Sequence, residues 1–311
     1  MTSIFLALLP VFIVILVGFT LRHFEIIRDS QWAGLDQLCY FLLFPCIIFK
    51  EVAGADFSSV PVFQMAAAQL LAVSVMIGGL VLFNRPVMAA LNIDGPQFTS
   101  LVQGAARWHT FIAFAIIPLQ FGPKALPLGA VSAAAMTPLL NILCVTVMSH
   151  FIPGQKVSPR QLALSIIKNP FVFSSLGGVA WQIIGLPLPA MGLQVLDMIG
   201  RGGLGLALLT VGAGLRLGHA LENWPPIAAA TVLKLMVVPL LMAGLLLLMG
   251  VHGTPFAVAL LCGAVPTGSG AYVLARQMGG DAPMVANILT VQVIAAAITI
   301  PAVLWLAGVT G

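Results

Sequence analysis

The chain has 311 residues, of which 60% are hydrophobic and only 7% charged, and its mean hydropathy is +1.10. Soluble domains carry about 25% charged residues, so this composition excludes an ordinary soluble fold and reads as an integral membrane protein with little mass outside the bilayer. The formal net charge of +4 does not point to nucleic acid, because the basic residues lie in loops and no run of them is long enough for a binding arm.

Ile4 to Leu21 is apolar, has no basic segment before it, and reads as a first span rather than a signal peptide. Windows of about 20 apolar residues then divide the chain into ten spans: 4–21, 35–53, 61–84, 97–121, 125–150, 161–185, 189–217, 225–249, 254–277 and 282–308. Turn signals such as Asn92-Ile-Asp-Gly95, Gly122-Pro123, Pro153-Gly154 and Gly279-Gly280-Asp281 separate them, and no loop is long enough for a further domain. With the N-terminus outside, inner loops collect Arg22, Arg28, Arg85, Lys156, Arg160, Lys168, Arg216 and Arg276, against Lys50 and Lys124 outside. This bias predicts that both termini face out. Cys39, Cys46, Cys144 and Cys262 fall in apolar segments without a CxxC or Cys/His cluster, so they read as small buried hydrophobes rather than disulfide or metal ligands.

The ninth span is interrupted at mid-depth by Pro266, Gly268 and Gly270, with Thr267 and Ser269 between them. Proline removes a backbone donor and glycine loosens the helix, and inside hydrocarbon such a break survives only against protein or a water-filled cavity. Broken helices at the midplane are where transporters bind substrate, although a simple packing kink is the plain alternative. The first half of the chain holds a counterpart. Pro10 and Gly18 match Pro170 and Gly178 at a shift of 160, and Leu35-Asp36 matches Leu196-Asp197 at 161. Phe121-Gly122 matches Met278-Gly279 at 157, a register that lays His109-Thr110 near Pro266-Thr267. Five spans per half would set the halves in the membrane with opposite orientation, an inverted repeat over 1–150 and 151–311.

Ionisable residues within spans are costly and often functional. Arg107 lies in the fourth span, in Gln103-Gly-Ala-Ala-Arg-Trp-His-Thr-Phe111. Its fork of donors suits a carboxylate, from a substrate or from elsewhere in the protein, and a backbone carbonyl is a further partner. His109 either switches charge near neutral pH or is held in a plain hydrogen bond. Asp197 and Arg201 are four apart and read as a structural pair, while Lys234 either snorkels or faces a cavity. Arg107, Arg201 and Lys234 against Asp197 leave surplus positive charge that suits an anionic substrate. A half-helix beginning after Pro266, and a second near His109-Thr110, would add two converging positive helix termini.

Val265-Pro-Thr-Gly-Ser-Gly-Ala-Tyr-Val-Leu-Ala-Arg-Gln-Met-Gly-Gly-Asp281 resembles the second crossover of the auxin efflux carrier family, whose bacterial members include malonate- and malate-type permeases. Arg107-Trp-His-Thr-Phe-Ile112 is similar to the first crossover, Leu42-Leu-Phe-Pro-Cys-Ile-Ile-Phe49 to the second span, and Asn169-Pro170 and Leu208-Leu-Thr-Val-Gly-Ala-Gly-Leu215 to the sixth and seventh. The resemblance spans nearly the whole chain. It implies an all-α integral membrane fold of ten transmembrane helices in two inverted five-helix repeats, with crossed broken helices four and nine. It further implies a scaffold domain of spans 1, 2, 6 and 7, a transport domain of spans 3–5 and 8–10, elevator-like movement, a homodimer in the cell inner membrane, and organic-anion substrates. Relatives carry asparagine where this chain has His109, and the long central loop of the plant carriers is absent.

The expected function is secondary active or potential-driven transport of small organic anions, carboxylates such as malonate, malate or auxin-like acids. Arg107, His109, Thr110, Thr267 and Ser269 are expected to contact the substrate, with Pro266 and Gly268 shaping the break, and with proton coupling through His109 as an option. No cofactor, metal or nucleic acid is expected. The rival readings are a sodium-coupled symporter of the bile-acid type and a non-transporting membrane sensor of the same fold. Without HExxH, GxSxG or paired aspartates, an enzyme is not expected.

Overall fold

The computed structural model describes residues 2–55, 57, 60–154, 158, 160, 169–185, 187–216 and 224–309, and every regular element among them is helical. Seven helices are long and apolar enough to cross a bilayer without interruption. They are α1 (Thr2–His23), α2 (Asp29–Ala53), α3 (Val62–Leu82), α7 (Leu126–Phe151), α9 (Ala190–Gly214), α10 (Trp224–Leu248) and α13 (Ala282–Leu306). At about 1.5 Å per residue, 21 or more residues exceed the roughly 30 Å hydrocarbon thickness. A short helix, α4 (Asn84–Leu91), follows α3.

Two of the other expected spans are interrupted, and one is described only in part. The fourth is two helices, α5 (Gly95–Ala106) and α6 (Thr110–Phe121), and the ninth is two more, α11 (Gly253–Ala264) and α12 (Gly270–Met278). Of the sixth, α8 (Pro170–Ile184) is described, while 161–168 lie outside the described residues. The molecule is a multi-pass helical membrane protein.

Local chemistry sets most helix ends. Asp94 accepts from the amide of Gln97, whose side chain returns a bond to the Asp94 amide, closing a capping box at the start of α5. Asn169 caps α8 and Asp281 caps α13 through the same kind of side-chain acceptance. Two spans contain a π-helical turn, Cys39–Leu43 in α2 and Leu233–Val237 in α10, and a proline follows each turn at one residue's remove, Pro45 and Pro239. Proline cannot donate to the preceding turn, and a widened turn accommodates that missing bond without stopping the helix.

Packing pairs the halves of the chain crosswise. The most extensive helix contacts are α1 on α9, α2 on α9 and α8 on α2. Close approach depends on glycine at positions 160 residues apart. A Cβ at Gly18 would sit 2.1 Å from the carbonyl oxygen of Leu209, and one at Gly178 would sit 2.8 Å from Cβ of Val52. Gly212, Gly200 and Gly203 on α9 likewise leave no room for a side chain, against Ile15, Ile47 and Leu43. The glycine-rich seventh span therefore serves helix packing, the use small residues have in membrane interiors.

Two aspartates 161 residues apart also reach across the α2–α9 contact. Asp197 on α9 accepts from Lys50 Nζ of α2 at 2.6 Å, and Asp36 on α2 lies 3.5 Å from Thr210 Oγ1 of α9. Asp197 pairs with Arg201 as the spacing predicts, at 2.5 Å, but its tie to Lys50 is the one that joins two helices. The remaining helices, α3, α5–α7 and α10–α13, pack on one another and on the group α1, α2, α8 and α9, and one continuous apolar core runs through both.

Candidate functional site

The site is built from two interruptions. α5 is buried from Phe98 to Ala106, and its chain turns extended at Arg107 (φ −69°, ψ 158°) and stays so through His109 before α6 opens at Thr110. α11 is buried from Phe256 to Ala264, and its chain turns extended at Val265 (φ −66°, ψ 151°). The two half-helices are each 12 residues long, begin 158 residues apart at Gly95 and Gly253, and end in the same backbone turn. The second break differs from expectation in length. α12 begins at Gly270 rather than directly after Pro266, because Pro266, Thr267 and Gly268 stay outside the helix and Ser269 is its N-cap.

The breaks touch. Thr267 Oγ1 donates to the carbonyl of Gln103 at 3.1 Å, and a Cβ at Gly268 would lie 2.7 Å from the carbonyl oxygen of Trp108. Only glycine at 268 permits that approach. The Thr267 amide donates to Gln292 Oε1 at 2.8 Å, so both polar groups of this buried threonine are committed to protein partners. Residues predicted for one site are thus brought together, with Thr267 acting as a tie between the breaks in this conformation.

Charge at the site is concentrated on Arg107. Its Nη2 donates to Asn141 Oδ1 of α7 at 2.9 Å, and its buried Nη1 has no protein partner. Among the described residues Arg107 makes no ion pair, so neither the expected carboxylate nor a backbone carbonyl holds it. Nη2 also lies 3.3 Å from where a Cβ would stand on Gly270, the first residue of α12. A guanidinium therefore rests beside the positive end of a helix dipole, an arrangement that an anion between them would relieve. Neither α6 nor α12 has a side-chain cap on the terminus that faces its break. His109 is buried, its ring stands 5.9 Å from that of Phe111, and its Nε2 has no partner. Thr110 is buried at the start of α6, and Ser269 is half-buried at the start of α12.

Lys234 takes a different place from either expected one. It is fully buried, and its Nζ donates at 2.7 Å to the carbonyl of Gly263, which α11 leaves without a helical partner. With Arg201 paired to Asp197, the span cations without a carboxylate among the described residues are Lys234, held on a helix-end carbonyl, and Arg107, which stands at the breaks. Sequence reasoning missed Asn141 and Gln292, whose signal is only an amide in an apolar span. It also missed the buried bond from Gln69 Nε2 to Ser132 Oγ at 2.9 Å. A cavity of about 430 Å³ lies elsewhere, at the turn between α1 and α2, lined by Phe19, Arg22, His23, Glu25, Ile27, Arg28 and Asp29. No break residue lines it.

Comparison with known proteins bears on the same segments. The model of a family described as membrane transport protein matches residues 3–105 and 125–304. The stretch between the two matches contains the first break, with His109. An "Uncharacterized transporter" of Methanothermobacter thermautotrophicus is 22% identical over 96% of this chain and 95% of its own length. A "Putative malonate transporter" of Rhizobium meliloti is 24% identical over 87% of this chain and 85% of its own length. A "Probable auxin efflux carrier component 1b" of rice, Oryza sativa subsp. japonica, is 26% identical over half of this chain and 29% of its own length. The chain belongs to the membrane transport protein family, the family of the auxin efflux carriers and malonate-permease-like proteins, and is a membrane transporter rather than an enzyme.

Proposed function

We propose that the protein carries small organic anions, carboxylates of the malonate, malate or auxin-like kind, by secondary active or potential-driven transport with the substrate held between the two helix breaks. The observation that carries this reading is Arg107, a guanidinium without a carboxylate partner, set beside the uncapped positive terminus of α12. A bound carboxylate would neutralise both, and His109, Thr110 and Ser269 stand on the same two breaks as further ligands, with Pro266, Thr267 and Gly268 shaping them. The partnerless Nε2 of His109 suits a substrate oxygen or a coupled proton. A relative named for malonate transport favours a dicarboxylate.

The wider mechanism follows as part of the proposal. Glycine pairs 160 apart, aspartates 161 apart and matched half-helices 158 apart support two inverted five-helix repeats, 1–150 and 151–311, whose broken helices cross. The tight group α1, α2, α8 and α9 would be the scaffold, and the remaining helices an elevator that carries the breaks across the membrane. The assembly would be a homodimer in the cell inner membrane with both termini outside. Sodium coupling is disfavoured by the helix ends themselves. Broken-helix carriers hold sodium on unwound carbonyls, and here Gly104 and Gly263 present theirs to Gln292 and Lys234.

Purified protein in liposomes, offered labelled malonate, malate, a monocarboxylate and indole-acetate, tests the reading. Saturable flux of one acid, driven by an imposed potential or proton gradient, is expected. Flux that requires sodium would favour the symporter alternative, and binding without flux would favour a sensor.

A further inference from the structure

Gln292 lies on α13, fully buried, and no resemblance or motif singled it out. Its amide makes three hydrogen bonds to three separate stretches of chain. Oε1 accepts from the Thr267 amide at 2.8 Å, and Nε2 donates to the carbonyls of Gly104 at 2.9 Å and Ala230 at 3.2 Å. Two of these partners exist because the helices break. The donor that would serve Gly104 in a continuous helix is the Trp108 amide, which lies in the extended break, and Thr267 stands in the other break, just after Pro266. A primary amide supplies one acceptor and two donors in a plane. Glutamate would keep the acceptor and lose both donors, and lysine has no acceptor at all.

The bonded groups flank the ligands of the proposed site. Gly104 is three residues before Arg107, and Thr267 is two before Ser269, the N-cap of α12. A shift of either break relative to the other would change the distance from Arg107 to that helix terminus. We infer that Gln292 is the positioning residue that locks the two breaks in mutual register, acting through Gly104 and Thr267 without touching substrate. Its functional arm rests on the transport reading; its structural arm does not.

Two readouts on the full-length protein test this. In hydrogen exchange, Q292L is expected to speed exchange of the Thr267 amide about tenfold, the weight of one lost bond, while Q292E, which keeps the acceptor, leaves Thr267 protected, and α1 and α9 keep wild-type protection in both. In liposomes at neutral pH, Q292E is expected to raise the half-saturation concentration for labelled malonate about tenfold. On acidification Q292E should recover relative to wild type, because a protonated carboxyl regains one donor, whereas Q292L should not. Wild-type protection of Thr267 in a folded Q292L would overturn the inference, as would protection lost uniformly across all helices or a Q292E defect that ignores pH. Q292E preserves side-chain volume and decides the matter if Q292L fails to fold. If the wild type moves no acid, the exchange experiment still judges Gln292, and the failure belongs to the transport reading.

Discussion

Arg107 and His109 share a three-residue stretch but differ in what a substitution should reveal. Arginine presents a planar fork that can grip both oxygens of a carboxylate, whereas lysine offers a single point charge. R107K should therefore keep flux with a half-saturation concentration raised about tenfold, the loss of one charge-assisted bond; an unchanged value in uptake kinetics would mean that the fork is not used. His109 separates binding from proton coupling. An asparagine there keeps a neutral hydrogen-bonding group but cannot carry a proton. H109N should retain saturable flux and lose its response to an imposed proton gradient, and a gradient response equal to wild type would assign coupling elsewhere. Both residues were visible in the sequence because polar groups stand out in apolar spans. The partners that decide their roles were not. Asn141 meets Arg107 only through the packing of α7 on the first break, and pairings across helices depend on a register that no local pattern states.

At the scale of helices, the second break was legible because proline and glycine cut the helix by their own backbone limits. The first contains neither, and what pointed to it was the register that sets His109-Thr110 against the second, the charge of Arg107, and the resemblance of Arg107–Ile112 to the family's first crossover. α12 starts later than the sequence suggests: Thr267, tied to Gln292 and Gln103, and Gly268, against the Trp108 carbonyl, lie outside the helix, and Ser269 is its N-cap. Glycine count alone did not say which glycines pack. Gly212 stands where a Cβ would come within 1.8 Å of the carbonyl oxygen of Ile15, while Gly202 on the same helix faces open space. G212A should destabilise the protein by about 1–3 kcal/mol, a typical overpacking cost, and lower its thermal unfolding midpoint in detergent. G202A should leave that midpoint unchanged, and equal effects of the two would contradict the α1–α9 packing described above.

For the whole molecule, an all-helical, multi-pass membrane fold was readable from composition, whereas the crosswise packing of α1 on α9 and of α8 on α2 was not. The amide of Arg216, just past α9, donates to Thr290 Oγ1 of α13 at 2.9 Å, a contact between the proposed scaffold and the proposed elevator. If the elevator slides, this contact must open. Cysteines at 216 and 290, with the four native cysteines replaced, should stop flux when oxidised and restore it when reduced; undiminished flux in the cross-linked protein would show that these elements do not part. Membrane potential provides the driving force to exploit, at about 2.3 kcal/mol per charge per 100 mV. The most direct test of an anion site at the breaks is potential-driven flux of labelled malonate in liposomes carrying wild-type protein or R107A, each verified as folded by its unfolding midpoint. The account predicts saturable flux in the wild type and none in R107A, and wild-type flux from folded R107A would contradict it.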